Sequence, residues 1–358
     1  MAITTDPARP GLKDRPSAAA FSAKLAQHHQ QPCRMGSLTD TLSFPSGLDI
    51  AARSRAGANG AAPENQDNFV VIDGNGRAVF LHGEAEHVVQ LAGWPRGHVR
   101  VAVLDGMGGH GHGRQASEAA VAGLLRLPGC VTEQALNQGL DDLHKTLQQY
   151  FAGADDALKP PGTTLTLLEL RHGLAPLLYH VGDSRLYEIT REHARPLTID
   201  HVPATSFALH GLLGEEEWWQ QVHGEHRAQI SQAFILGNAI SDPQNLAGPL
   251  YPLQPDNLPP FLRRMADRRA LTVRTDATYL LASDGFWACA EPAAWIARWP
   301  SLLAPTPSSR CCLHALFGDF IDTPPPGLHV DNLTAIAMRF RTASGGNIDE
   351  TALPENVF

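Results

Sequence analysis

The chain has 358 residues, with 28 Lys+Arg against 37 Asp+Glu for a net charge of −9, 43% hydrophobic and 18% charged residues. That is the balance of an ordinary globular protein long enough to bury a full core. Net acidity without a Lys/Arg run argues against binding nucleic acid or an anionic membrane through phosphate neutralisation, and no stretch approaches the ~18–20 apolar residues of a membrane span.

Residues 1–45 are rich in Pro, Gln, Ser and Ala and read as a disordered tail with a short helical pattern around Ala18–Gln31. The opening MAITTDPARPGLKDRP lacks the apolar core of a secretory signal. Asn68–Asp73 and Val99–Leu104 are short β-branched runs that end in Asp-Gly turns. Between them, the Gly-rich stretch 74–98 with Pro95 reads as an insertion. Arg114–Leu127 places Ala116, Ala119, Ala120, Gly123, Leu124 and Leu127 on one helical face, with Ser117 and Glu118 pointing away. A second amphipathic helix is predicted over Thr132–Phe151.

Strands are then predicted at Thr163–Leu170, Leu177–Val181, Arg185–Ile189, Tyr279–Ser283 and Leu333–Phe340. In the last, Thr334, Ile336, Met338 and Phe340 share one face and Leu333, Ala335, Ala337 and Arg339 the other. Helices are expected at Glu225–Leu236, Pro292–Trp299 and Arg310–Phe320. Residues 203–260 read as a second insertion, with Trp218 and Trp219 in a flap packed on the domain, and 342–358 as a C-terminal tail. Strands joined by turns, with helices gathered in pairs, predict α+β layers. Five cysteines (Cys33, Cys130, Cys289, Cys311, Cys312), odd in number and without C-x-x-C, argue against a disulfide scaffold and a zinc ribbon. A reduced, cytoplasmic protein is expected.

Five aspartates stand at strand ends beside turn residues: Asp67 in ENQD, Asp105 in LDGMGGH, Asp183 in VGDSR, Asp284 in ASDG and Asp331 in DN. Each alone is ordinary turn chemistry. Together they form a donor set for hard, oxygen-preferring cations, Mg²⁺ or Mn²⁺, and a bound cation relieves their mutual repulsion.

From about Leu48 to Phe340 the ordered blocks ENQD, VAVLDGMGGHGHGRQAS, GTTLTLLEL, YHVGDSRLYEI, LTIDH, LLASDGFW and DNLTAIAMRF resemble the metal-dependent Ser/Thr protein phosphatases of the 2C type (the PPM family), in their bacterial form. The resemblance implies an α-β-β-α fold, a central antiparallel β-sandwich flanked by helix pairs, over residues 46–341. It also implies hydrolysis of phosphoserine and phosphothreonine by a hydroxide bridging two Mn²⁺ or Mg²⁺ ions. Asp105 would bridge the ions and the Gly106 carbonyl bind one of them. Asp284 and Asp331 would complete one ion, Asp67 would hold the other through water, and Asp183 with Asp284 matches a third. Asp67, Asp105 and Asp284 would be the catalytic set, and the partners phosphoproteins opposite a Ser/Thr kinase.

Three departures stand out. Gln66 replaces a glutamate. Met107 stands where eukaryotic members carry a histidine. The family's phosphate-binding arginine falls on Ala62, with Arg53 or Arg55 of the preceding strand as off-spacing substitutes or plain solvated arginines. His110 is expected beside the site outside the metal shell, His112 exposed, Arg185 in a structural ion pair, and Thr163 and Thr164 as strand formers. The lost arginine and Gln66 leave a second reading open, an inactive phosphatase-like sensor. A third, hydrolysis of a small phosphate ester, is also compatible with the motifs.

Overall fold

The structure is a computed structural model that describes residues 36–57, 64–108, 112–152, 161–225, 227, 229–240 and 248–341. The helical pattern at Ala18–Gln31, Ala62, His110 and the 342–358 segment lie outside the described residues.

Its strands are β1 (Leu48–Arg55), β2 (Asn68–Ile72), β3 (Arg77–His82), β4 (Ala85–Gln90), β5 (Val99–Leu104), β6 (Gly106–Met107), β7 (Gly162–Thr163), β8 (Leu165–Leu170), β9 (Leu177–Val181), β10 (Arg185–Ile189), β11 (Ala194–Pro196), β12 (Gln232–Ala233), β13 (Gly237–Asn238), β14 (Arg268–Ala270), β15 (Thr278–Ala282) and β16 (Leu333–Phe340). The helices are α1 (His112–Arg126), α2 (Glu133–Ala152), α3 (Pro203–Leu209), α4 (Glu215–His223), α5 (Pro292–Ile296), α6 (Trp299–Leu303) and α7 (Ser309–Asp322).

Two antiparallel sheets stack, one in the order β1-β16-β15-β10-β11 and the other β14-β9-β8-β5-β2-β3-β4. The alternation read from Leu333–Phe340 decides the layering. Ile336 and Met338 enter the inter-sheet core with Phe69, Val101 and Leu186, whereas Leu333, Ala335 and Ala337 pack outward against Trp299, Leu316 and Phe317. On the far side, Val70, Ala102 and Leu104 meet Ala120, Leu124 and Leu140 of α1 and α2. The result is the expected α-β-β-α order, except that three helices, α5 to α7, cover the five-stranded sheet instead of a pair.

Several expectations need correction. The stretch 74–98, expected as an insertion, is built into the sheet: it contributes β3, which pairs with β2, and β4, which pairs with β3. Residues 36–45, expected in the tail, pack on the domain: Ser37 Oγ and the Leu38 amide donate to the Glu86 carboxylate of β4. The described residues of 225–236 form no helix. Phe234 instead exchanges two backbone hydrogen bonds with Thr163. Cys130, Cys289, Cys311 and Cys312 are free thiols, and no helix among the described residues is long and apolar enough to cross a membrane.

The described residues of 203–260, together with neighbours such as Leu262, form a lobe with its own core, in which Trp218, Leu253, Leu258 and Leu262 are buried. Trp218 is 1% exposed and donates from Nε1 to Thr205 Oγ1, while Trp219 is 45% exposed, so only one of the two tryptophans packs inward. Trp218→Ala is expected to cost about 3–5 kcal/mol locally. Hydrogen exchange should then rise in 203–262 while β5 and β16 stay protected.

Candidate metal centre

The two sheets end at one level, and their registers bring the aspartates together. In the seven-stranded sheet Asn68 pairs with Leu104, so one step further Asp67 lies opposite Asp105. Val103 pairs with Thr166, which sets Asp105 opposite Thr164. In the five-stranded sheet Arg185 pairs with Ala282, and two steps beyond, Asp183 lies opposite Asp284. The chain crosses from one sheet to the other between β9 and β10, at Gly182-Asp183-Ser184. Gly182 has φ +110° and its missing side chain leaves room for Thr164, which a Cβ would approach to 2.6 Å. The glycine in VGDSR is therefore required by the crossover that aims Asp183.

Small polar side chains lock this arrangement. Asp105 N–H donates to Thr164 Oγ1 (2.9 Å), Thr164 N–H donates to Asp105 O (2.8 Å), and Thr164 Oγ1 lies 2.7 Å from Ser184 Oγ. Ser283 Oγ donates to Asp67 Oδ2 (2.7 Å). Asn332 accepts from the Gln66 amide and donates to the Glu64 carbonyl, tying the ENQD loop to Asp331. Ser117, expected on the outer face of α1, is fully buried and donates to the Gln66 carbonyl.

Thr164, Ser283, Asn332 and Ser117 escaped the sequence reading as site supports. The available signal was a hydroxyl or amide next to each aspartate block where the strand pattern calls for an apolar residue. Thr164→Val strands the buried Asp105 N–H, a cost of about 1–3 kcal/mol. A roughly tenfold fall in kcat with little change in KM is the expected result in steady-state kinetics.

The other candidates sort clearly. Arg185 is buried in a bidentate pair with Asp200 and stacks on Trp287, as expected of a structural ion pair. The Arg53 guanidinium lies 4.6 Å over the Phe317 ring. It therefore sits on the helix side of β1, opposite Ser54, whose hydroxyl bonds Thr334 and Asn65. Strand alternation puts Arg55 on the same side. Arg53 is thus turned away from the carboxylates, and Arg55 leaves β1 from its exposed last position. His112 opens α1 half-buried instead of exposed.

Burial and mutual repulsion govern the electrostatics. Desolvation, then Asp67, Asp284, Asp331 and Asp183, hold the Asp105 carboxyl well above the usual range. Asp67 is pushed up to about 7, chiefly by burial and against its bonds from Ser283 and Thr334. Asp183 is raised by burial and by Asp284. Asp331, open to solvent on one side, is still pushed up to about 6 by desolvation and Asp284.

Among the described residues, no three His, Cys, Asp or Glu side chains stand close enough together to hold a metal ion by themselves. The mutual repulsion of Asp105 with Asp67, Asp284, Asp331 and Asp183 places the five carboxylates in one neighbourhood, and Mg²⁺ or Mn²⁺, which retain several waters and bind through a few carboxylates, suit such an open set. Two glycines add a close backbone approach. A Cβ on Gly106 would stand 2.2 Å from the Gly113 carbonyl oxygen, and one on Gly285 2.1 Å from that of Asn332. An all-oxygen donor set whose charges repel one another fits a hard divalent cation.

The sign of the pH effect follows. Asp67 titrates near 7 in the fold against 3.8 ordinarily, so between about pH 4 and 7 the folded, metal-free chain binds more protons than the unfolded chain. Its stability falls as pH rises through that window, and the loss is complete above about 7. Calorimetry in EDTA should give a melting temperature on the order of 5 °C higher at pH 5 than at pH 8. Added Mn²⁺ should remove the deficit at pH 8.

Beside Asp183 a cleft of about 390 Å³ opens, lined by Phe207 of α3, Gln220 of α4, Arg227 and Gln229, with Trp287 at its base.

No family model matches the chain. It is 34% identical over 127 residues to a 2C-type protein phosphatase sequence of Streptococcus pyogenes, covering 34% of this chain and 51% of the relative. It is 31% identical over 130 residues to the phosphatase PhpP of Streptococcus pneumoniae, with the same coverage. The chain thus spans about half the length of the curated relatives it matches. Among solved structures, a Streptococcus agalactiae serine/threonine phosphatase superposes with a TM-score of 0.56 at 18% identity, covering 82% of this chain and all of that one. The catalytic domain of the Ser/Thr phosphatase PstP, solved with two manganese ions, gives 0.53 at 21% identity over 82% and 99%. The fold is that of the metal-dependent Ser/Thr phosphatases, and the resemblance carried by the motif blocks stands.

Proposed function

We propose that the chain is a metal-dependent phosphatase that hydrolyses phosphoserine and phosphothreonine in proteins, with residues 46–341 as its 2C-type domain. The observation that carries the reading is the paired register: Asp67 opposite Asp105 in one sheet and Asp183 opposite Asp284 in the other, with Asp331 tied beside them through Asn332. The similarity to PstP, solved with two manganese ions, supports it. Asp67, Asp105, Gly106, Asp284 and Asp331 would hold two Mn²⁺ or Mg²⁺ ions, with Asp183 and Asp284 at a third. When bound, the ions supply charge neutralisation at the phosphoryl oxygens and acidify water.

The protein's own part is positional. Thr164 and Ser283 fix the Asp105 backbone and the Asp67 carboxylate, so the donors need no rearrangement when charge develops. Met107, in the short strand β6, offers no proton donor, which leaves protonation of the leaving group to solvent. The buried thiols are poor nucleophiles, since burial raises Cys130, Cys289 and Cys312. The proposal places the protein in the cytoplasm, reversing the action of a Ser/Thr kinase in bacterial signalling. The test is hydrolysis of a phosphothreonine peptide and of p-nitrophenyl phosphate with and without Mn²⁺. Turnover of both that depends on Mn²⁺ is expected. Absence of turnover would leave a phosphatase-like binding protein.

A further inference from the structure

A ring of carboxylates repels a phosphoryl dianion, and phosphoryl transfer gathers more charge on the peripheral oxygens. A cation at the rim therefore has work to do. Arg185 is buried against Asp200, Arg53 lies over Phe317, and residues 56–63 contain no Lys or Arg.

Arg114, in the first turn of α1, is placed differently. Its Nε is 2.9 Å from Glu64 Oε1, with both side chains part exposed at 36% and 27%. Gly113, immediately before it, packs on the site: a Cβ there would stand 2.5 Å from the Gly106 carbonyl oxygen. On the other side the Glu64 carbonyl accepts from Asn332, the neighbour of Asp331. The backbone on either side of the ion pair is thus tied to the site, at Gly113 to Gly106 and at Glu64 to Asn332. A part-exposed pair of this kind contributes little in water. A phosphoryl group offering two oxygens in the guanidinium plane outcompetes one carboxylate oxygen.

We propose that Arg114 is the residue that grips the substrate phosphoryl group, exchanging Glu64 for two phosphoryl oxygens, and that Glu64 holds the guanidinium at the rim between turnovers. The proposal rests on the phosphatase reading and supplies the substrate-binding cation it needs.

Arg114→Ala, Arg114→Lys and Glu64→Gln are compared with the natural chain, all loaded with Mn²⁺, by p-nitrophenyl phosphate kinetics and by calorimetric titration with inorganic phosphate. Arg114→Ala is expected to raise KM and the phosphate Kd about ten- to a hundredfold, with a melting temperature within about 2 °C of the natural chain. Arg114→Lys should recover part of the affinity, since it keeps the charge and loses the fork. Glu64→Gln should leave phosphate binding equal or tighter. An unchanged phosphate Kd in Arg114→Ala overturns the proposal. So does an equal loss in Arg114→Ala and Glu64→Gln, the mark of a structural brace. If the natural chain shows no turnover the phosphatase reading falls, while the phosphate titration still decides the role of Arg114.

Discussion

Asp105→Asn is expected to lower kcat on p-nitrophenyl phosphate by about a thousandfold or more and, at the same time, to raise the melting temperature of the metal-free protein. Both effects have one source. Asp105 is the carboxylate that feels all four others, Asp67, Asp284, Asp331 and Asp183, from its place between the facing sheet ends. Removing its charge relieves repulsion that the metal-free fold must otherwise bear. The same change removes the central oxygen donor and turns a neutral amide toward the cations, which bind poorly to it. The measurement is paired: steady-state kinetics with Mn²⁺, and calorimetry in EDTA at pH 8. Activity within tenfold of the natural chain would remove Asp105 from the mechanism. A lower melting temperature would show that it serves the fold instead.

Gly106→Ala should be among the most damaging single methyls at the described glycines. The added carbon would meet the Gly113 carbonyl oxygen at 2.2 Å and the Gln66 carbonyl oxygen at 2.5 Å. Both obstacles are backbone, one at the entry to α1 and the other in the ENQD loop, so no side chain can rotate away. Overpacking of this kind costs about 3 kcal/mol. The carbonyl of residue 106 and the neighbouring Asp105 would be displaced together, with a fall in kcat of about a hundredfold or more. Gly83→Ala is the control. Its φ is +56° and nothing stands within 4 Å of a Cβ, so only the backbone preference is lost, about 1 kcal/mol. Urea unfolding of the two variants should separate them by roughly 2 kcal/mol or more. Equal midpoints would mean that the loop yields and that the close approach at Gly106 is not structural.

What could be read from the sequence was local. The apolar alternation of Leu333–Phe340 sorted the inter-sheet face from the helix face correctly because both faces of that strand are buried. The aspartates announced themselves by standing where strands stop. What could not be read was non-local. Nothing in ENQD or LDG alone says that Asp67 and Asp105 are cross-strand partners. That follows from the Asn68–Leu104 pairing. The face occupied by Ser117 was misjudged because a small hydroxyl residue is compatible with either side of a helix. Here the ENQD loop covers it and the Gln66 carbonyl satisfies it. Residues 77–90 were missed as strands because the runs are short and glycine-bounded, and β4 is an exposed edge whose side chains show little alternation. The apolar residues of 225–236 have helical spacing, yet Phe234 is held by the end of the Thr163 strand, a contact about seventy positions away. Arg53 shows the same limit. Its number in the sequence put it near the site, and the parity of β1 put it on the other side of the sheet.

The most direct test of the account is an anomalous difference map from crystals soaked in Mn²⁺. The predicted result is two peaks in the ring formed by Asp67, Asp105, Asp284 and Asp331, one of them beside the Gly106 carbonyl, lost together in Asp105→Asn. Absence of any peak there, or manganese found only elsewhere on the surface, would contradict the assignment of these carboxylates to a metal centre and with it the proposed hydrolysis.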